Sequence, residues 1–494
     1  MVGHLFAAAD LGATSGRVIL GALVEGHFTM EEVHRFPTPC LSIGEHLHWD
    51  ASALFGEVLV GVRRAAESGV LSGVAVDCWG VDYGRLDRAG ELLEPPYNYR
   101  DSRTNGVPER FFADFPAERL YGESGLQVMA FNTIFQLVSA QNDDWSQVDS
   151  CLFLPDLLTY WLSGVRIAEL TIASTSGLLN VARRQWSNTT LSHLRDRYDL
   201  DLGRCLPDLV DPGTVVAVTR SEILADPVPV VAVGAHDTAS AIVAVPATTP
   251  GFAYISSGTW SLVGVELDHP ILTEASRQAN FTNELGVDGT VRYLRNVMGL
   301  WVLTESQRRW GEQGLDIDLA QLLDEAGRLP ALTTVVNMED PRLLPPGDMS
   351  ARLAQMARET GQPIPQTPPE FTRCILDSLA LDYRRVIRQA SQLADTPIDI
   401  VHIVGGGCRN HLLNQLTSEA TGLPVVAGPA EGTALGNLLV QARAVGALAG
   451  DLLALRQVVR ASSELRTYSP GALGLPTPLW DAAERRAFPT PGKP

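Results

Sequence analysis

Three observations predict an α/β protein of two domains. Short apolar runs of strand character alternate with amphipathic segments at helical spacing. A chain of 494 residues, 45% of them hydrophobic, can bury two substantial cores. Near its middle, Val245-Pro246-Ala247-Thr248-Thr249-Pro250-Gly251 follows an apolar segment and reads as a junction. The expected domains are 1–246 and 247–465, with a Pro- and Ala-rich tail, 466–494, that is ordered only in part.

Along the first domain, residues 5–11 and 18–23 read as strands, and a third strand is expected over 27–36. A helix begins near Ser52, since Leu54, Phe55, Val58, Leu59 and Val62 recur on one face. Residues 73–77 form a β run that Trp79-Gly80 interrupts and 81–86 continue, up to a turn at 87–90. In the second domain a helix over 373–394 turns Leu376, Leu379, Tyr383, Val386, Ile387, Ala390 and Leu393 inward and Arg384, Arg385 and Arg388 outward. A strand at 398–404, a triple glycine, a helix at 410–421, a strand at 423–427 and a helix at 433–445 follow. No repeat of fixed period is visible.

Composition narrows the function. A net charge of −19 argues against nucleic acid as a partner, because phosphate-backbone binding needs a basic face. Any nucleotide site must then be built locally from arginine, backbone N–H groups and metal. Six cysteines, Cys40, Cys78, Cys151, Cys205, Cys374 and Cys408, show no metal-ligand spacing, so free thiols in a reducing, cytoplasmic setting are expected. The apolar start is cut short by Asp10 and lacks a basic region, unlike a signal peptide. The hydropathic stretch 228–245 carries His236 and Asp237 at its middle and is bracketed by prolines, so no membrane span is expected there.

Four segments can carry chemistry. Asp10-Leu-Gly-Ala-Thr-Ser-Gly-Arg17 joins the first two strands through small residues that let backbone N–H groups approach a phosphate. Thr14 and Ser15 can donate hydroxyls, Arg17 can neutralise a phosphate oxygen, and Asp10 can hold hydrated Mg²⁺; an ordinary glycine turn is the plainer alternative. Gly234-Ala-His-Asp-Thr-Ala-Ser240 follows an apolar strand. Asp237 there reads either as the acceptor of a hydroxyl proton or as the N-cap of a helix starting at Thr238. Ile255-Ser-Ser-Gly-Thr-Trp-Ser261 reads as a second phosphate hairpin or a structural turn. Gly405-Gly-Gly407 can lie flat against a purine or phosphate ahead of a helix N-terminus, and Cys408 beside it reads as a buried, unreactive thiol. Trp79 to Gly84 and Tyr99 to Arg103 offer the aromatic and polar groups of sugar sites, with Asp82 either a sugar contact or half of a structural bridge to an arginine. There is no GxxxxGK[ST] loop and no GxGxxG after a strand.

Taken in order, these segments, with Tyr99-Arg-Asp-Ser-Arg-Thr104, Arg295-Asn-Val-Met-Gly-Leu-Trp301 and Val404-Gly-Gly-Gly-Cys-Arg-Asn410, resemble the FGGY carbohydrate kinases over residues 8–446. The resemblance implies a two-domain actin-like ATPase (ribonuclease H-like) fold with an interdomain cleft where ATP and sugar meet. It implies an enzyme that uses ATP and Mg²⁺ to phosphorylate L-rhamnulose on its 1-hydroxyl, in L-rhamnose degradation. The alternatives are a kinase for fuculose or xylulose, or a non-catalytic sugar sensor. By matching motif positions, Ala13, Thr14, Ser15, Gly16, Arg17, Thr259 and Gly406 would contact ATP. Gly80, His236, Asp237, Thr238 and Asn296 would contact the sugar, Asp237 would be the proton acceptor, and Asp10 would meet the metal directly or through water. Two positions depart from the family pattern. Thr304 stands where a glutamine is common, and Thr417 removes a cysteine pairing seen in some relatives.

Overall fold

The structure is a computed structural model that describes residues 3–488. It is mixed α/β and divides into two compact units, neither continuous in sequence. One comprises Met1–Thr248, Glu266–Tyr293 and Gly432–Ser463; the other comprises Thr249–Val265, Leu294–Glu431 and Glu464–Pro494. The compact units are therefore interleaved, where a division at 246/247 is linear.

The principal sheet of the first unit contains β1 (His4–Leu11), β2 (Ser15–Val24), β3 (His27–Pro37), β4 (Leu71–Cys78), β5 (Thr214–Val218) and β6 (Pro229–Ala232), in the order β5-β6-β4-β1-β2-β3. β2 returns antiparallel to β1 with Asp10 opposite Arg17, while β6, β4 and β1 run parallel to one another. Alternation along β1 explains why both faces are apolar. Ala7, Ala9 and Leu11 enter a core with Leu54, Val58 and Val62 of the Ala51–Glu67 helix. Phe6 and Ala8 enter another with Leu435, Leu438 and Leu439 of the Gly432–Ala444 helix. Each large side chain so buried contributes about 1.5–3 kcal/mol. Asp50 starts the first of these helices by accepting the Ala53 N–H at 2.9 Å.

The second sheet has seven strands: Thr282–Leu285 at one edge, then β9 (Val291–Met298), β8 (Trp260–Leu267), β7 (Phe252–Ser257), β10 (Ile400–Val404), β11 (Val425–Ala427) and β12 (Arg466–Tyr468), in that order. β7 and β8 form an antiparallel hairpin, and β7, β10 and β11 run parallel. The same plan organises both sheets: an antiparallel hairpin whose first strand is flanked by two successive parallel strands. The repeat lies in topology alone, which is why no period in the residues reveals it.

Three local expectations change. The long helix is Pro368–Ala394, five residues longer at its start than expected, because Pro368 and Pro369 occupy its first turn, where no N–H is missed, and Thr367 and Glu370 form a capping box. Arg384 is buried rather than outward; it pairs with Asp481 at 2.5 Å and Glu484 at 3.1 Å on the Thr477–Ala487 helix. That helix orders the tail as far as Phe488, and 489–494 lie outside the described residues. Residues 83–86 do not continue β4; they pair with Ser150–Phe153 in a separate ribbon, after a left-handed residue at Val81 (φ 72°). Residues 228–245 fold as β6 and the helix Asp237–Val243, and no helix among the described residues is long and apolar enough to cross a membrane.

Within the first unit, Gly432–Ala444 and Asp237–Val243 touch at Gly436, where a Cβ would overlap the Ser240 carbonyl oxygen. Gly436→Ala, normally worth about 1 kcal/mol of extra helix propensity, is therefore expected to destabilise by about 1–3 kcal/mol and lower the thermal midpoint of the purified protein.

Candidate active site

The three parallel neighbours of the first sheet end side by side, and the chain places a candidate segment just beyond each. β1 closes on Asp10 and Leu11 and leads into the Gly12–Ser15 turn, past β4 come Trp79 and Gly80, and past β6 come His236 and Asp237. The Cys78 N–H donates to the Ala235 carbonyl at 2.9 Å and ties two of these ends together. Carboxyl ends of parallel strands are where open α/β sheets bind ligands.

At the β1–β2 turn, Arg17 donates to Asp10 Oδ2 through Nε at 3.0 Å and Nη2 at 2.8 Å. Thr14 is exposed and Ala13 and Ser15 are half-buried, so this turn can be reached by a ligand. Gly16 is pinned from behind: a Cβ there would overlap the Phe36 ring. Asp77 sits opposite Asp10 on β4, fully buried, with Oδ2 accepting from Asn437 Nδ2 at 2.6 Å and Oδ1 without a hydrogen-bond partner. Burial, then the Asp10 charge, pushes the Asp77 carboxyl well up, toward its neutral form. Among the described residues, no group of three His, Cys, Asp or Glu side chains could by itself hold a metal ion. A Mg²⁺ ion that keeps its waters and binds chiefly to substrate phosphates needs only one or two carboxylates, and Asp10 at the end of β1 can supply one.

Asp237 is the first residue of its helix, not the cap. His236 holds the cap position, its own side chain making no cap hydrogen bond. Asp237 Oδ1 accepts from the Thr238 hydroxyl at 3.0 Å and lies 3.4 Å from His236 Nε2. With its side chain 31% exposed, it is open to a ligand. Burial raises its pKa, His236 opposes that shift and Asp10 adds to it. Gly80 borders the same space, since a Cβ on it would lie 3.2 Å from Thr175 Oγ1 and 3.5 Å from His236 Nε2.

Buried charges hold this turn in place. Glu169 accepts from the N–H groups of Thr171 at 2.9 Å, Ile172 at 3.1 Å and Ala235 at 3.1 Å, and burial raises its carboxyl to about 7. Thr171 Oγ1 in turn accepts the His236 N–H at 3.2 Å. On the ring side, His236 Nδ1 lies 3.2 Å from Glu284 Oε2 and 3.1 Å from Arg292 Nη2. Burial alone would raise the Glu284 carboxyl, but Arg292 and His236 outweigh it and hold it low. Among the described residues Asp82 forms no bridge to arginine. It accepts from the indoles of Trp49 at 2.6 Å and Trp79 at 2.9 Å and from Gln136 at 2.9 Å, with its pKa raised to about 6 by burial.

The second unit builds another turn. Thr259 stands at the tip of the β7–β8 hairpin, and the N–H groups of Leu300 and Trp301 donate to the carbonyls of Gly258 and Thr259 at 3.0 and 3.2 Å. The triple glycine lies against the same hairpin. Gly405 (φ 83°) would bring a Cβ within 2.9 Å of the Ser257 carbonyl oxygen, a Cβ on Gly407 would overlap Ser257 Oγ, and Gly406 faces open space. Gly406 and Gly407 open a short 3-10 turn, Gly406–Arg409, which leads into the His411–Thr421 helix capped by Asn410, within one residue of the expected 410–421. Burial lifts the Cys408 thiol to about 11, which keeps it unreactive, and all six cysteines are free. Asn296 lies half-buried on β9 next to Arg295, which pairs with Glu339. Thr304 is exposed on the Trp301–Glu312 helix, and Thr417 is buried, its hydroxyl donating to the Leu413 carbonyl at 2.8 Å.

Thus the first unit gathers Asp10, Ala13 to Arg17, Gly80 and His236 to Thr238, and the second gathers Thr259 and Gly406. Glu169, Glu284 and Arg292 did not emerge from motif reading. Their only trace is a lone charge inside an apolar run, as in Ile167-Ala-Glu-Leu-Thr-Ile-Ala173.

The family model for the FGGY family of carbohydrate kinases, N-terminal domain, matches residues 5–244, and that for the C-terminal domain matches 253–445. A rhamnulokinase of Bacteroides thetaiotaomicron is 42% identical over 486 residues, covering 97% of both chains. One from Pectobacterium carotovorum is 41% identical over 471 residues, covering 94% of this chain and 93% of its own. In fold, a ligand-bound xylulose kinase from Lactobacillus acidophilus superposes with a TM-score of 0.78 at 18% identity, covering 98% of this chain and 96% of that one. Plasmodium falciparum glycerol kinase with ADP gives 0.78 at 13% identity, covering 99% of each.

The two glycines predict opposite outcomes. Gly407→Ala is expected to lose about 1–3 kcal/mol through its collision with Ser257, whereas Gly406→Ala, facing open space, should leave the urea midpoint unchanged.

Proposed function

The chain belongs to the FGGY family of carbohydrate kinases, and from that premise we propose that it transfers the γ-phosphoryl group of ATP to the 1-hydroxyl of L-rhamnulose, giving L-rhamnulose 1-phosphate and ADP. Asp237 carries the reaction. It is a partly exposed carboxylate at a parallel strand end, with two polar neighbours on one oxygen. The choice of sugar is supported by near-full-length relatives named for that substrate.

Asp237 accepts the proton of the attacking hydroxyl, while Gly80, His236, Thr238 and Asn296 hold the sugar. Ala13, Thr14, Ser15, Gly16 and Arg17 take the phosphates, and Thr259 and Gly406 take further parts of ATP. Asp10 would hold Mg²⁺, directly or through water, and the ion when bound would neutralise phosphate charge. Arg17, bonded to Asp10, carries its guanidinium at the turn where a phosphate oxygen would be met. Phosphoryl transfer asks a protein mainly for positioning and charge neutralisation, and these side chains supply both. The six free thiols accord with a cytoplasmic reaction.

ADP release measured with L-rhamnulose, L-fuculose, D-xylulose and no sugar should favour L-rhamnulose, and Asp237→Asn should lower the turnover by roughly 10²–10⁴. Preference for another ketose would correct the substrate, and no stimulation by any sugar would leave a sensor. Asp237 works deprotonated, so kcat/KM should fall as pH drops through its pKa. That acid limb should lie above the ordinary aspartate value of 3.8.

A further inference from the structure

Two of the six free thiols stand together in the first unit, and the chemistry above uses neither. Cys151 lies on the ribbon strand Ser150–Phe153, and Cys205 closes the 3-10 turn Leu202–Arg204. They are 54 residues apart in sequence, yet their sulfurs are 3.7 Å apart. The backbone brings them there. The Cys151 N–H donates to the Cys205 carbonyl at 2.8 Å, which holds the two Cα atoms within about 6.7 Å, inside the span of a disulfide. Arg204 anchors the turn a second time, through a bond from its Nη2 to the Trp145 carbonyl at 2.7 Å. The sulfurs are aimed as well as near: Cys151 donates its S–H to Cys205 Sγ, and Cys205 as a thiol donates to the Leu202 carbonyl at 3.4 Å.

We propose that Cys151 and Cys205 are a modification site, a dithiol that hydrogen peroxide or another small hydroperoxide closes to a disulfide. Three features of the pair carry this. First, the sulfurs need only approach from 3.7 Å to about 2.05 Å, and the Cα separation already allows it. Second, the two thiols are unequal. The bond from Cys151, with the Arg204 charge behind it, outweighs burial and lowers the pKa of Cys205, while the same bond and burial push Cys151 well up. Cys205 is therefore the attacking thiolate. Its sulfur bonds to one peroxide oxygen, the O–O bond breaks, and hydroxide leaves to become water with the proton that Cys205 released. The Cys151 sulfur then bonds to that of Cys205, the S–O bond of the sulfenic acid breaks, and the hydroxyl leaves as water with the Cys151 proton. Two thiols and one peroxide give one disulfide and two waters, the sulfurs losing the two electrons that the peroxide gains. Third, both residues are buried, which admits a small oxidant ahead of a bulky one and puts Cys151 at the sulfenic acid before a second peroxide arrives. The link closes a loop that contains Glu169 and Thr171, the residues that accept from the Ala235 and His236 N–H groups. Closing so long a loop restricts mainly the unfolded chain, so the oxidised protein is the more stable one.

The test exposes the reduced full-length protein to hydrogen peroxide, alkylates the remaining thiols under denaturing conditions, and maps the peptides by mass with and without dithiothreitol. A peptide pair joined through Cys151 and Cys205, two hydrogens lighter than the separate peptides and parted by dithiothreitol, is expected. The thermal midpoint of the oxidised protein should exceed that of the reduced one, and this gain should vanish in Cys205→Ser. Both thiols recovered alkylated, sulfinic acid on Cys205 with Cys151 still free, or a link through the exposed Cys40 in place of this one would overturn the proposal. So would a linked protein that melts no later than the reduced one. The peptide map is made on the wild-type chain, so it does not depend on a variant folding. It also reads no activity: a protein inert towards every ketose would sink the kinase reading, while the map would still decide this one.

Discussion

Like charges at one sheet end are the constraint on which the first unit depends. Parallel pairing of β6, β4 and β1 puts Asp237, Asp77 and Asp10 at adjacent strand ends, close enough that Asp10 raises the pKa of both others. Carboxylates so placed repel, and the surroundings answer each in a different way. Asp10 is neutralised by Arg17 across the hairpin, Asp77 is driven toward its neutral form with Asn437 on one oxygen, and Asp237 keeps part of its surface in water beside His236 and Thr238. One pays in an ion pair, one in a proton, one in exposure. The differences make the three aspartates chemically unequal, and that inequality is what a phosphoryl-transfer site needs.

A second layer of buried acids stiffens the turns around these groups. Glu169 gathers N–H groups from residues 171, 172 and 235, and Asp82 gathers two indoles and an amide. Each is an acceptor-rich carboxylate surrounded by donors. Such hubs fix backbone geometry because losing one member leaves several groups unsatisfied together. The turn from Gly234 to Thr238 is thereby held from the backbone side by Glu169 and Thr171 and from the ring side by Arg292.

What could be read from the sequence was whatever a short window contains. The β1–β2 hairpin, the strand before Gly234 and the strand before the triple glycine are continuous segments whose apolar alternation and small-residue turns are local signals, and the structure has all three. Partners supplied by distant segments could not be read in this way. Arg384 reads as a surface residue by helical spacing, and only the Thr477–Ala487 helix, about a hundred residues on, makes it an interior one. Asp82 likewise has the look of half a salt bridge until Trp49 and Gln136 arrive from elsewhere. The interleaving of the two units is invisible for the same reason, since the Gly432–Ala444 helix carries no mark saying which sheet it covers.

That interleaving has a consequence for synthesis. The helix that shields one face of β1 belongs to a segment ending at Ser463, so a ribosome must translate nearly the whole chain before the first unit can be completed. Until then Phe6, Ala8, Ile19 and Leu23 lack their cover, although the strands bearing them emerge first. The usual vectorial economy, in which an N-terminal domain folds while the rest is being made, is denied to this protein. Nascent chains stalled or truncated before residue 432 would display a bare apolar sheet face, the kind of surface that chaperones bind and that aggregates grow from.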